Sequence, residues 1–217
     1  MARLVIGVDV GTGSARAGVF DTAGTLLASA KEPIAIWHAA GGIVEQSSTD
    51  IWRAVVKTVR EAMAAAGARA EDVIGLGFDA TCSLVVLDRE ARPLAVGPSE
   101  DANRDIIVWM DHRALAETAE INAGGHEVLR YVGGKVSPEM QTPKLLWLKR
   151  HRPTIFQRAA HFFDLSDFLT FKSTGSLDRS ICTVVCKWTY LAHEARWDDA
   201  YFNAIGLEEF PAEGYRR

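Results

Sequence analysis

The first 36 residues alternate apolar and polar positions in runs that are typical of β-strands. Residues 4–10 form an apolar run with one charged residue, Asp9, and residues 15–21 alternate as a second strand. The turn Asp21–Gly24 precedes a further strand pattern over 25–36, so we predict an antiparallel meander. A carboxylate buried in an apolar strand costs free energy unless a cation, a metal or hydrogen bonds compensate it, which indicates that Asp9 has a function.

Beyond residue 47 the pattern alternates between helices and short apolar strands. The sequence Ser48-Thr49-Asp50 is a helix cap, and the first helix follows it. Helices are predicted at 51–63, 112–122, 126–131, 144–150, 165–172 and 197–205, and strands at 73–78, 83–87, 106–110 and 161–163. Strands that come first and then alternate with helices indicate an α/β domain with a mixed sheet flanked by helices.

The turn Gly11–Ser14 is suited to phosphate oxygens, because glycines let backbone N–H groups approach a ligand and small hydroxyls add donors. It is not a P-loop, since Val19 and Phe20 follow Gly18 where that motif needs Lys and Ser or Thr. It is not a dinucleotide fingerprint, since Arg16 replaces the third glycine and a strand follows instead of a helix. The turn is therefore either another kind of phosphate site or an ordinary hairpin with a buried aspartate.

Three apolar runs end on or beside a carboxylate, namely Asp9, Asp79 and Asp111. Ligands of open α/β sheets bind beyond the carboxyl ends of the strands, so the three acids predict a cleft for a metal and a polar substrate. The alternative is that each acid serves a turn or a helix cap.

Charge and cysteine content narrow the class of protein. The 217 residues carry 24 Lys and Arg against 28 Asp and Glu, and this lack of a basic excess argues against nucleic acid as a partner. No apolar stretch reaches membrane-spanning length, and the start lacks the pattern of a secretion signal. The three cysteines have no zinc-type spacing, so we expect a reduced, cytoplasmic protein of about one α/β domain.

Three motifs together resemble the FGGY carbohydrate kinases. They are Asp9-x-Gly11-Thr12-Gly13-Ser14-x-Arg16, the sequence Gly77-Phe78-Asp79-Ala80-Thr81-Cys82-Ser83, and Trp109-Met110-Asp111-His112-Arg113. The amino-acid sequence around these motifs, and in the segments 131–134, 143–149 and 186–190, is similar to that of the ribulokinase branch of the family, especially the group that phosphorylates D-ribulose. The resemblance covers essentially the whole chain.

This resemblance implies the actin and hexokinase type of ATPase fold, in which two domains with ribonuclease H-like cores flank a deep cleft. Residues 1–217 then correspond to the N-terminal, sugar-binding domain. The adenosine-binding motifs and the aspartate that acts as general base are expected in a C-terminal domain outside this chain. The implied activity is ATP-dependent phosphorylation of a sugar hydroxyl with Mg²⁺, and we expect this chain alone to be inactive.

The resemblance also assigns roles to residues. Asp9 is expected to hold Mg²⁺, and the phosphates of ATP are expected at Gly11, Thr12, Gly13, Ser14 and Arg16. The sugar is expected at Asp79, Ala80, Thr81, Cys82, Asp111, Arg113 and Lys187, with Trp109, Trp188 and Tyr190 as candidate walls and Glu139 and Gln141 as candidate loop contacts.

Several of these roles have alternatives. Arg16 either neutralises phosphate, braces the turn or is a surface strand residue, and Asp111 either accepts sugar hydroxyls or positions Arg113. Lys187 either contacts the sugar or is solvated in the first turn of a helix.

The substrate expected from the resemblance is a five-carbon ketose such as D-ribulose. Glycerol kinases have an Arg-Glu pair where this chain has Thr81-Cys82-Ser83, and the small residues leave room for a larger sugar. The alternatives are a xylulokinase or another FGGY polyol kinase, and a non-catalytic sugar-binding domain. The small-molecule sugar is the expected partner, and a homodimer is left open.

Overall fold

Two sheets organise the chain, where the sequence pattern predicted one mixed sheet. The structure is a computed structural model that describes residues 3–217. Its strands are β1 Leu4–Val10, β2 Ser14–Asp21, β3 Leu26–Pro33, β4 Trp37–Ala39, β5 Ile43–Gln46, β6 Val73–Ala80, β7 Leu84–Leu87, β8 Ile106–Ile107 and β9 His161–Asp164. Its helices are α1 Ser48–Ala65, α2 Leu115–Ala123, α3 Gln141–His151, α4 Pro153–Arg158, α5 Leu165–Thr174, α6 Ile181–Trp188, α7 Asp199–Ala204 and α8 Glu209–Ala212.

The first sheet has the strand order β3-β2-β1-β6. The pairs β1–β2 and β2–β3 are antiparallel, which is the predicted meander, and β6 pairs with β1 in parallel. One face of this sheet packs on α1 and α5 around a core that includes Val8, Val10, Ile51 and Phe168. The large apolar side chain of Leu26, on the other face, is exposed.

The second sheet is antiparallel, with the order β4-β5-β8-β7-β9. The strand predicted at 106–110 is only two residues long, because the chain turns where the N–H of Asp111 donates to the carbonyl of Val108 at 3.0 Å. A second core lies against this sheet and includes Ile107, Leu145 and Phe162.

The ends of the helices depend on local capping. Ser47 accepts a hydrogen bond from the N–H of Asp50 at the start of α1, and Gly67, with φ of +62°, follows its end. The helix predicted at 126–131 is a 3₁₀ helix over Glu127–Val132.

No helix among residues 3–217 is both long enough and apolar enough to cross a bilayer.

Candidate active site

Asp9 lies on the uncovered face of the first sheet, which corrects the expectation of a buried carboxylate. Alternation along β1 directs Val8 and Val10 into the core and Asp9 to the opposite face. Arg16 is its partner in the β1–β2 register, and its Nη2 lies 3.0 Å from Oδ2 of Asp9. The two side chains are 49% and 53% exposed, so this ion pair adds little stability and both groups are accessible to a ligand.

Asp79 lies beside Asp9, because β6 is parallel to β1 and the two aspartates are partners in register. Together with Arg16 they face an open hollow on the sheet, and Gly7, Gly18 and Gly77 also line it. The shape of the hollow requires glycine at position 18, because a Cβ added to Gly18 would lie only 2.8 Å from Cε2 of Phe20. Two accessible carboxylates and a guanidinium thus occupy one face of the sheet.

The turn Gly11–Ser14 is held mainly through its oxygen atoms. The Gly13 carbonyl accepts from the N–H of Ile34 at 3.2 Å, and the Thr12 carbonyl accepts from Nε2 of Gln46 at 2.8 Å. Among the hydrogen bonds of residues 3–217, none uses the backbone N–H of Thr12 or Gly13 as donor. The turn therefore presents two unused N–H donors next to the Asp9–Arg16 pair.

The segment Asp79–Ser83 lies directly against this turn. The N–H of Thr81 donates to the carbonyl of Val10 at 3.0 Å, so the segment begins where β1 ends. The hydroxyls of Thr81 and Ser83 are 3.1 Å apart, and the Cys82 carbonyl accepts from Nε2 of Gln141 at 3.1 Å. The structure thus brings the predicted phosphate turn and the predicted sugar loop together.

Lys187 lies in the last turn of α6, where the sequence pattern predicted a first turn. Burial raises the pKa of the Cys82 thiol, and the ammonium of Lys187 opposes that rise. Lys187 is thus within electrostatic range of the sugar loop, but among residues 3–217 it forms no hydrogen bond or ion pair with that loop.

Asp111 and Arg113 are enclosed in a buried network, away from the Asp9–Asp79 pair. Arg113 donates to both oxygens of Asp111, to Oε1 of Glu45 at 2.9 Å and to the carbonyl of Val96 at 2.8 Å. Asp111 also accepts from the N–H of Val44 at 2.6 Å. Since both side chains are at most 1% exposed, this geometry agrees with the alternative in which Asp111 positions Arg113.

The expected convergence of three carboxylates is wrong, because Asp111 turns into the protein and only Asp9 and Asp79 share the hollow. Across residues 3–217 there is no group of three or more His, Cys, Asp or Glu side chains that could hold a metal. Residues 3–217 therefore offer a metal at this site two carboxylates in the hollow, and its other oxygen ligands would come from elsewhere.

Three buried polar residues escaped the sequence analysis. Gln46 supports the phosphate turn, and Lys144 donates to the carbonyls of Val108 and Trp109 at 3.0 and 3.2 Å. Asp164 accepts from Gln141 at 2.9 Å and from the indole of Trp188. Asp164 could have been found from the sequence, since it follows an apolar run, as Asp79 does.

Burial strongly shifts the ionisation of two of these groups. Desolvation raises the pKa of the Asp164 carboxyl to about 7 and lowers the pKa of the Lys144 ammonium to about 7. Away from the site, burial likewise raises the pKa of Asp105 to about 7. The Asp105 carboxylate accepts from the N–H of Ser48 at the start of α1.

Replacing Asp105 by asparagine should flatten the pH dependence of stability. Between pH 4 and 7 the unfolded chain ionises Asp105 while the folded chain keeps its proton, so stability falls as pH rises. The slope from this one group is about 1.4 kcal/mol per pH unit. Urea unfolding from pH 4 to 8 measures it; Asp178→Asn, on the surface, is the control, and equal slopes for Asp105→Asn and wild type would contradict the account.

A comparison of the sequence with models of known protein families shows which family the chain belongs to. The model of the N-terminal domain of the FGGY family of carbohydrate kinases matches residues 4–211. The chain belongs to this family. The resemblance seen in the three sequence motifs is thereby confirmed for the FGGY domain as a whole.

Named relatives agree with this assignment. The FGGY domain is 50% identical over 216 residues to the human FGGY carbohydrate kinase domain-containing protein, covering 99% of this chain and 39% of the relative. It is 44% identical over 223 residues to the protein named D-ribulokinase YDR109C of Saccharomyces cerevisiae, covering 100% and 31%. The chain thus spans well under half the length of these relatives.

Solved structures confirm the fold. The xylulose kinase of Rhodospirillum rubrum superposes with a TM-score of 0.79 at 23% identity, covering 94% of this chain and 41% of that one. The glycerol kinase of Plasmodium falciparum with ADP gives a TM-score of 0.75 at 15% identity, covering 95% and 41%. The FGGY domain therefore has the predicted fold of the actin and hexokinase type.

Proposed function

We propose that this chain is the phosphate- and sugar-binding part of an ATP-dependent kinase that phosphorylates a ketopentose, with D-ribulose as the first candidate. The observation that carries the proposal is the junction of the two loops, where the N–H of Thr81 binds the carbonyl of Val10. It places the turn Gly11–Ser14 beside the loop Asp79–Ser83. Phosphoryl transfer is mostly positioning and charge neutralisation, and such a junction holds donor and acceptor side by side.

The residues around the turn fit a magnesium–phosphate group. Mg²⁺ prefers oxygen ligands and is commonly held by one or two carboxylates together with substrate phosphates, and Asp9 and Asp79 are two accessible carboxylates in register. The free N–H groups of Thr12 and Gly13 suit phosphate oxygens, and Arg16 supplies a positive charge at 3.0 Å from Asp9. When bound, Mg²⁺ would neutralise charge on the transferred phosphate.

The sugar loop suits a polyhydroxylated ligand larger than glycerol. Thr81 and Cys82 are small and only partly buried, the exposed carboxylate of Asp79 precedes them, and the charge of Lys187 acts on the Cys82 thiol. D-ribulose is preferred over xylulose because the relative named D-ribulokinase is 44% identical over the whole chain. The likeness to xylulose kinases, at 23% identity, supports the fold alone.

The rest of the machinery is proposed to lie outside residues 1–217, in a C-terminal domain that carries the adenosine site and a general-base aspartate. The support is that the chain covers only 39% of its human relative. Asp111 and Arg113 are proposed to support the site from its buried side, since their side chains are enclosed. The three cysteines are free, which agrees with a cytoplasmic location. A homodimer stays a prediction.

A sugar panel tests the proposed substrate. The intact protein that carries this chain is assayed with Mg-ATP and D-ribulose, L-ribulose, D-xylulose, glycerol or ribitol, and kcat/KM is measured for each. We expect D-ribulose to give the highest value and glycerol to be poor. A preference for D-xylulose would favour the xylulokinase alternative, and binding of sugars without phosphorylation would favour a non-catalytic domain.

A further inference from the structure

Trp109 contacts the phosphate turn and the sugar loop at the same time. Its indole Nε1 donates to Oγ1 of Thr12 at 3.1 Å. Its backbone N–H donates to Oγ of Ser83 at 3.1 Å, and that hydroxyl lies 3.1 Å from the hydroxyl of Thr81. A single residue thus joins the two loops, which lie about 70 residues apart in sequence, by one side-chain and one main-chain hydrogen bond.

The buried side chain of Lys144 fixes the main chain at Trp109. Its ammonium donates to the carbonyls of Val108 and Trp109, and the residue is fully buried. Burying an ammonium costs free energy, and two carbonyl acceptors with the nearby carboxylates of Asp111 and Asp164 compensate it only in part, since the pKa of Lys144 falls to about 7. Burial of Lys144 therefore lowers the stability of the fold, while its two hydrogen bonds fix the backbone at Val108 and Trp109.

We propose that Trp109, fixed by Lys144, is a positioning residue that couples the two loops, so that a sugar at Thr81–Ser83 strengthens the binding of ATP phosphates at Thr12. This inference rests on the proposed function. Because Trp109 donates to both loops, a ligand that orders one of them restricts the residue and thereby orders the other. Coupling of this kind is reciprocal, so ATP must strengthen sugar binding by the same factor.

Two substitutions, each of which removes one partner of the Trp109–Thr12 hydrogen bond, isolate the link. Trp109→Phe keeps an aromatic ring but removes the indole N–H, and Thr12→Val keeps the side-chain shape but removes the acceptor. Loss of one neutral hydrogen bond corresponds to about a threefold to tenfold change in an equilibrium constant. Because both changes delete the same bond, the double variant should lose no more coupling than either single variant.

The experiment is calorimetric titration of the intact protein with the magnesium complex of β,γ-imido-ATP, with and without saturating D-ribulose. The ratio of the two dissociation constants measures the coupling. We expect a ratio well above one in wild type, a ratio lower by about threefold to tenfold in Trp109→Phe, and equal losses in Thr12→Val and the double variant. Trp52→Phe, on α1 and away from both loops, is the matched control and should keep the wild-type ratio.

Lys144→Met provides a second readout. We expect it to lower the coupling ratio as Trp109→Phe does, while circular dichroism shows a folded protein; a purely structural role would instead weaken both ligands equally and keep the ratio. If Trp109→Phe has the same ratio of dissociation constants as wild type, the proposed coupling is wrong, while the proposed function is unaffected. A wild-type protein that binds ATP but no pentulose overturns the proposed function and this inference with it.

Discussion

Replacing Asp9 by asparagine in the intact protein is expected to lower kcat/KM for the kinase reaction by about 10²–10³-fold, the usual cost of removing one preorganised charged or polar group from an active site. The substitution keeps the shape of the side chain but removes the negative charge that faces Arg16 at 3.0 Å. It also removes one of the two carboxylates of the hollow that suit Mg²⁺. We therefore also expect half-maximal activity to need more Mg²⁺.

Steady-state rates at several Mg²⁺ concentrations measure both effects. The matched control is Asp101→Asn, which changes a carboxylate that is 43% exposed in a loop outside the hollow. The control should keep the wild-type rate. An Asp9→Asn variant that keeps more than about a tenth of the activity would show that Asp9 serves the hairpin and not the reaction.

Replacing Arg113 by methionine is expected to destabilise the protein by about 3–5 kcal/mol, because it leaves the buried carboxylates of Glu45 and Asp111 without their cation. The carboxylate of Glu45 is tightly enclosed, since it packs so closely on Gly97 that a Cβ added there would lie 1.8 Å from its Oε1. Water therefore has little access to replace the guanidinium.

Urea unfolding followed by tryptophan fluorescence measures this loss. Arg130→Met is the control, because Arg130 and its partner Glu127 are 61% and 79% exposed, and this surface ion pair should contribute about 0–1 kcal/mol. Equal losses in the two variants would contradict the account, since the buried network would then contribute no more than a surface ion pair.

The meander could be predicted, because alternation and turn residues are local signals. The strand ends also predicted that Asp9 and Asp79 lie at one edge of a sheet, whereas the phosphate and sugar roles of the two loops came from the family resemblance. The exposure of Asp9 could not be predicted. Alternation assigns Asp9 and Val8 to opposite faces of the sheet, but it does not say which face another element covers. The pattern alone therefore predicts a buried carboxylate, whereas only its neighbours Val8 and Val10 are buried.

The outcome for Asp111 depends on contacts between distant parts of the chain. Its partner Arg113 pairs with Glu45, 68 residues earlier, and no local pattern links the segments that carry them. The position of Lys187 could not be predicted for a different reason: the eight-residue helix α6 follows an irregular segment and has no side-chain cap, so no local signal marks its start. Lys144 lies in a motif typical of the family, but only the fold shows that it reaches the carbonyl of Trp109.

We propose that the turn Gly11–Ser14 and the loop Asp79–Ser83 hold the donor and the acceptor of one phosphoryl transfer. Phosphorus NMR of the intact protein with Mg-ATP and D-ribulose tests it most directly. We predict a pentulose phosphate signal that grows in equal amount to ADP and that is absent without the sugar. Formation of ADP and inorganic phosphate without any sugar phosphate, for every ketopentose supplied, would contradict the claim.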